Sequence, residues 1–214
     1  MARSYEEGCG IARALDVIGS RWALLVVREL LLGQLRFSDL RRALPHASTN
    51  MLTDRLNELV DSGVIERRRL PPPAGATVYG LTARGRQLEP ILAQLGAWGL
   101  QVPRPEPAIV TPGSVILFLQ GAARPDSEAP ELIVRLELEE RPFTVIAAHG
   151  RVEVTAGEPS SFSASLDCTP HTLNGLLLGE VDLDTARRAG TVAISGDRRA
   201  LDALLRSARS DQPV

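Results

Sequence analysis

Four prolines, Pro103, Pro105, Pro107 and Pro112, fall within ten residues in the segment VPRPEPAIVTPG. Each fixes φ and removes a backbone donor, so the segment suits neither a helix interior nor a central strand and favours extended polyproline geometry. It reads as a linker over residues 103–113. It divides a chain of 214 residues with 44% apolar composition into two parts, each able to fill a small core, and the domains expected are 1–102 and 114–214. Hydrophobic periodicity is helical before the linker and switches largely to strand spacing after it.

Upstream, CGIARALDVIG and RWALLVVRELLLG read as two helices broken at Gly19-Ser20. FSDLRRALP reads as a short third helix that opens at Ser38 and stops by Pro45. In the next segment Leu52, Leu56, Leu59 and Val60 recur at helical spacing, whereas Ser48, Thr49, Asn50, Thr53, Asp54 and Asn57 fall mainly on the other face. Ser48 as N-cap and Gly63 in the left-handed position past the end predict a helix of about four turns. VIERRRL and TVYGL then read as the strands of a hairpin whose long tip contains PPPAGA. Thr82 caps a last segment in which Leu88, Ile91, Leu92, Leu95 and Trp98 form an apolar stripe, with a kink expected at Pro90. Such a stripe on a terminal helix seeks a partner helix.

Helix, short turn, second helix with a polar leading face, and basic hairpin occur in the order of a winged helix-turn-helix. An α-helix fits the major groove of B-DNA, and short side chains at its leading end let Asn50, Thr49 or Thr53 reach base edges. Ser48, Arg36, Arg41, Arg42, Arg55 and the run Arg67, Arg68 and Arg69 are the candidates around them, the arginines for phosphate contact. Asp54 on this face opposes phosphate binding; it either accepts from a cytosine or orients Arg55. The net charge of −2 hides an asymmetry, because residues 1–102 hold 13 arginines against 10 acidic side chains and residues 103–214 hold 11 against 16. The cationic surface is confined to the first half.

Beyond the linker, ELIVRLELEE, PFTVIAAHG, RVEVTAG and SFSASLDC read as successive strands. TPHTLNGLLLGE and DLDTARRAG follow as helices, TVAIS as a strand and DRRALDALLRSA as a closing helix. The architecture expected is α+β. Catalytic arrangements are weak here. Cys168 and His171 in CTPH lack a second ligand pair, and nothing places the carboxylates of Asp182 and Asp184 in one cleft. His149, beside Gly150, reads as a surface turn residue. No enzyme activity, metal or cofactor is expected. Two cysteines, Cys9 and Cys168, cannot make a disulfide framework, and no signal segment precedes the first polar turn. The longest apolar run, Trp22 to Val27, is far shorter than the roughly 20 residues of a membrane span. A cytoplasmic protein without a membrane partner is expected.

Several separate pieces occur in order: Ile18-Gly19-x-x-Trp22, Arg36-Phe37-Ser38-x-Leu40, Met51-Leu52-Thr53-x-Arg55-Leu56, Gly63-x-x-x-Arg67 and Leu81-Thr82-x-x-Gly85. With the closing LGAWG they make residues 8–101 resemble the HxlR-type family of bacterial regulators, relatives of the MarR group. The resemblance implies a homodimer joined by terminal helices, binding a pseudo-palindromic double-stranded DNA operator with one recognition helix per half-site. It also places Cys9 where some members carry a redox-responsive thiol, although Glu6 and Glu7 would raise its pKa and a helix N-terminus would oppose them. From about Glu131 to Arg209, with GEVDLDTARRAGTVAISGD as the main carrier, the chain resembles the sterol-carrier-protein type of lipid-binding domain. That likeness implies an apolar cavity between sheet and helices.

The expected fold is thus a mainly α winged helix-turn-helix domain followed by an α+β, sterol-carrier-like domain. The expected function is sequence-specific transcriptional regulation, as a repressor, with the second domain sensing an apolar small molecule or stabilising the dimer. The alternative is an apolar-ligand carrier that uses its N-terminal domain for protein association.

Overall fold

The computed structural model describes residues 4–73, 75–103, 105 and 108–209; Arg104, Glu106 and Pro107 of the expected linker lie outside the described residues. The chain divides into two compact units, the first ending at Leu95 and the second beginning at Gly96. Helices α1 (Gly10–Ile18) and α2 (Ala23–Leu31) are followed by a two-residue strand β1 (Leu35–Arg36) and by α3 (Phe37–Ala43) and α4 (Thr49–Asp61). Strands β2 (Ile65–Arg69) and β3 (Thr77–Leu81) form the hairpin, and α5 (Ala83–Arg86) and α6 (Glu89–Gly99) come after it.

Helix α4 begins and ends as its residues dictate. The Ser48 hydroxyl accepts the Met51 amide at 3.3 Å. At the other end Gly63 takes φ 69, its amide donating to Val60 and the Val64 amide to Leu59, which closes the last turn with a left-handed residue. Leu52, Leu56 and Leu59 are fully buried, on a helix that packs against α1, α2 and β2. Each of these leucines contributes roughly 1.5–3 kcal/mol by leaving water.

Three local features differ from the sequence expectation. Helix α3 opens at Phe37 rather than Ser38, because the Asp39 carboxylate accepts the Arg36 amide at 3.1 Å and closes the turn one residue earlier. The hairpin gains a third strand, β1, which pairs antiparallel with β3 through Leu35↔Tyr79 and Arg36↔Val78. The terminal segment is two helices rather than one kinked helix. The break falls at Gln87–Leu88, and Pro90 sits in the first turn of α6, where its missing N–H costs nothing.

The Leu81-Thr82-x-x-Gly85 step has a packing cause. Thr82 Oγ1 accepts the Gly85 amide and donates to the Gly63 carbonyl at 2.7 Å. A Cβ on Gly85 would lie 2.1 Å from the Val64 carbonyl oxygen. Gly85→Ala is therefore expected to destabilise the first unit by about 1–3 kcal/mol through overpacking. Chemical denaturation with Trp22 as reporter, in a Trp98→Phe background, measures it.

In the second unit α7 (Pro112–Ala122) precedes β4 (Leu132–Leu138), β5 (Arg141–Ala148), β6 (Arg151–Ala156) and β7 (Ala164–Cys168). Then come α8 (Pro170–Leu178), α9 (Leu183–Arg188), β8 (Val192–Gly196) and α10 (Arg198–Ser207). Among the described residues the five strands form one mixed sheet in the order β6-β5-β4-β7-β8, antiparallel except for the parallel pair β4 and β7. Alternation puts Val134, Leu136, Leu138, Phe143, Val145, Leu166 and Cys168 on a buried face packed under the helices. The opposite face is mainly polar, with Arg135 held between Glu137 and Glu158 and Ser165 bonded to Ser195 at 2.7 Å, beside the paired Ile133 and Ile146. Pro112 belongs to α7 rather than to a linker, at its first position after the Thr111 cap. His149 and Gly150, at φ 51 and 73, make the tight turn between β5 and β6. No helix of the described residues is long and apolar enough to cross a membrane.

Candidate nucleic-acid interface

With Leu52, Leu56 and Leu59 turned inward, the rotation of about 100° per residue turns Asn50, Asp54 and Asn57 outward, and all three are exposed. Thr49 and Thr53 flank them on one side. The Thr53 hydroxyl donates to the Thr49 carbonyl at 2.9 Å, so its proton is committed to its own helix. Ser48 spends its oxygen on the cap, which leaves its O–H free to donate outward. Met51, which the spacing leaves off the buried stripe, is 40% exposed beside them. The sequence reading gave it no role, although its absence from the leucine stripe was the available signal.

Between α3 and α4 the surface is an open trough lined by Ser38, Arg41, Arg42, Pro45, Ala47, Ser48 and Thr49. Arg41 is exposed, and Arg42 reaches Asp39 only at 3.9 Å with most of its side chain in solvent. Arg36 is exposed just before α3. The trough therefore carries positive charge directly beside the leading turn of α4.

The wing arginines do not act as a block of three. The pleat of β2 puts Arg67 and Arg69 on one face, opposite Tyr79 and Thr77, and Arg68 on the other, where it pairs with Glu66 at 3.2 Å. Arg67 and Arg69 are exposed and have no ion-pair partner among the described residues. They are the stronger phosphate candidates.

Arg55 departs from its expected place. Its Nε donates to the Arg21 carbonyl at 3.1 Å, it pairs with Glu58, and its side chain is only 13% exposed. It ties α4 to the turn between α1 and α2 instead of facing outward with Asn50. In the same turn Trp22 adopts φ 77, and the Arg21 guanidinium lies 5.1 Å from the centre of its ring. Its position on α4 explains the difference: Arg55 lies between the exposed face and the buried stripe, where a long side chain can reach a neighbouring turn.

Cys9 is exposed at the N-cap of α1. The thiol makes no full cap hydrogen bond, yet the amides of Ala12 and Ile11 favour the thiolate and draw its pKa below the ordinary value. The raising influence expected from Glu6 and Glu7 does not set the direction. Cys168, by contrast, is buried beside Asp167, and desolvation followed by that charge pushes its pKa up to about 12. Iodoacetamide is expected to modify Cys9 in the folded protein, with a pH midpoint below that of a free thiol, and Cys168 only after denaturation. Peptide mass spectrometry across a pH series checks both. The carboxylates of Asp182 and Asp184 are separately engaged: Asp182 caps α9 through the Thr185 amide at 2.7 Å, and Asp184 pairs with Arg198.

Residues 17–106 match the HxlR-like helix-turn-helix family. An uncharacterised HTH-type transcriptional regulator of Bacillus subtilis, YvaP, is 38% identical over 89 residues, which cover 42% of this chain and 82% of that protein. A second uncharacterised HTH-type transcriptional regulator, from a Synechocystis strain, is 41% identical over 97 residues, covering 44% of this chain and 72% of its own length. A solved structure titled redox regulator HypR in its oxidised form is similar at 34% identity over 45% of this chain and all of that one, with a TM-score of 0.43. The chain therefore belongs, through its N-terminal part, to the HxlR-like helix-turn-helix family.

Proposed function

We propose that this protein is a sequence-specific DNA-binding transcriptional regulator that acts as a homodimeric repressor on a pseudo-palindromic operator. The observation that carries this reading is the exposed polar face of α4, bordered by the arginine trough at α3 and by Arg67 and Arg69 of the wing. A helix of this kind lies in the major groove while the wing follows the phosphates. Asn50, whose amide can bond adenine at two points, is the leading base reader, and Thr49 and Ser48 close on the adjacent backbone. Met51 adds an apolar surface suited to a thymine methyl group. An arginine-bordered helix of this kind is unexpected in a carrier that uses the domain for protein association alone.

One further feature supports the dimer. Ile11 and Leu15 of α1 and Ile91, Leu95 and Trp98 of α6 are large apolar side chains left exposed in the single chain. A second copy would cover them. In the second unit, a mixed sheet with helices on its apolar face is the layout expected of a domain of the sterol-carrier type, and the apolar effector assigned to it rests on that resemblance. Such an effector changes DNA binding only if it binds the competent and incompetent arrangements unequally.

The test is binding to DNA from upstream of the protein's own gene. Asn50→Ala is expected to lower discrimination between the preferred site and its variants by about 1–3 kcal/mol while leaving random-sequence affinity nearly unchanged. Binding of equal strength to every duplex by both proteins would defeat the reading.

A further inference from the structure

We propose that Asp54 is a specificity-determining residue of the interface, accepting a hydrogen bond from the exocyclic amino group of a cytosine in the major groove and penalising sites that lack this donor. The proposal rests on the DNA-binding reading above. Asp54 lies one helical turn after Asn50 on the exposed face of α4, opposite the Leu52, Leu56 and Leu59 stripe.

No structural duty accounts for it. The cap is supplied by Ser48, and Asp54 stands beyond the first turn, where the helix dipole favours acids. It has no ion pair or hydrogen bond to a side chain among the described residues. Its sequence neighbour Arg55, which could have neutralised it, is instead bonded to the Arg21 carbonyl and paired with Glu58. The two uses of Asp54 that the sequence left open are thereby reduced to one.

The withdrawal of Arg55 also changes the charge of the helix. With Arg55 paired to Glu58, Asp54 and Asp61 are left with no cation along α4, so the attraction to phosphate must come from α3 and the wing. A bare carboxylate pressed into a groove loses hydration and faces the acceptor edges of guanine and thymine, which is costly. Cytosine presents an N4 amino donor there, the base group that an aspartate side chain pairs with. Adenine's N6 amino group lies beside its N7 acceptor, so cytosine is the base whose edge suits the carboxylate best, and guanine or thymine at that position is resisted.

Selection of bound duplexes from a randomised pool, using the full chain, tests this. The unaltered protein is expected to enrich sites with a cytosine at one fixed position in each half-site. Asp54→Ala is expected to reduce discrimination at that position from about tenfold or more to near onefold. Random-sequence duplex should also bind the variant more tightly, because the repulsion is gone. Asp54→Asn, whose amide both accepts and donates, is expected to widen the preference at that position alone. Circular dichroism confirms that both variants keep the fold. An enriched motif without the fixed cytosine, or one that is identical in all three proteins, overturns the role of Asp54 while leaving DNA binding intact. Failure of all three proteins to bind any duplex in a salt-dependent manner overturns the DNA reading itself, and this proposal with it.

Discussion

Replacing Arg67 and Arg69 together with alanine is expected to weaken binding to every DNA sequence by at least about a hundredfold, each lost charge-assisted bond costing on the order of 1.5–3 kcal/mol. The plot of log affinity against log salt should flatten by about 0.9 for each phosphate contact removed. Both side chains are exposed on one face of β2 and free of ion pairs among the described residues, so their charge is available to a partner. The preferred sequence should not change, because phosphate contacts carry no base information. Arg68→Ala serves as the internal comparison. It faces the other way and is paired with Glu66, so its loss should matter less. Fluorescence anisotropy at several salt concentrations measures all three variants, and an unchanged slope in the double variant would remove the wing from the interface.

Leu56→Ala is expected to destabilise the first unit by about 2–5 kcal/mol, the range for a buried leucine that leaves a cavity. Leu56 is 1% exposed at the centre of the stripe that seats α4. The loss is a large fraction of the roughly 5–15 kcal/mol typical of a folded domain. Native-state hydrogen exchange should show reduced protection in α4 and in α1, α2 and β2, the elements that touch it. A loss below about 1 kcal/mol would mean that the site collapses around the smaller side chain and that the stripe is not what holds the helix. Its contrast with Asn50→Ala separates seating from reading. One variant lowers the folded population without altering preference, and the other alters preference without touching the core.

The period of Leu52, Leu56 and Leu59, the Ser48 cap and the Gly63 terminus placed α4 to within a residue, since all three are local properties of the chain. The strands β4 to β8 were legible from alternation and turn residues in the same way. Two elements were not seen. β1 is two residues long and exists only because β3 lies beside it. α7 starts at Pro112, which in sequence belongs equally to the proline-rich segment, and its apolar run has no clear amphipathic period because Val115, Ile116 and Leu119 are buried on a crowded side.

Within the candidate site, residue types and order were enough to indicate a polar helix, a basic turn and a basic wing. Direction was not. Alternation along β2 separates Arg68 from Arg67 and Arg69 once the strand is paired, and the reach of Arg55 to the Arg21 carbonyl joins residues 34 positions apart. Likewise the acids beside Cys9 are visible in sequence, whereas the amides that lower its pKa act only once α1 is wound. What the sequence by itself determined is where the strongly periodic and capped elements, such as α4 and the strands β4 to β8, begin and end, because capping and periodicity act between neighbours. Which side chains face outward with their charges uncompensated was decided only by the tertiary structure, because that depends on partners brought together by folding.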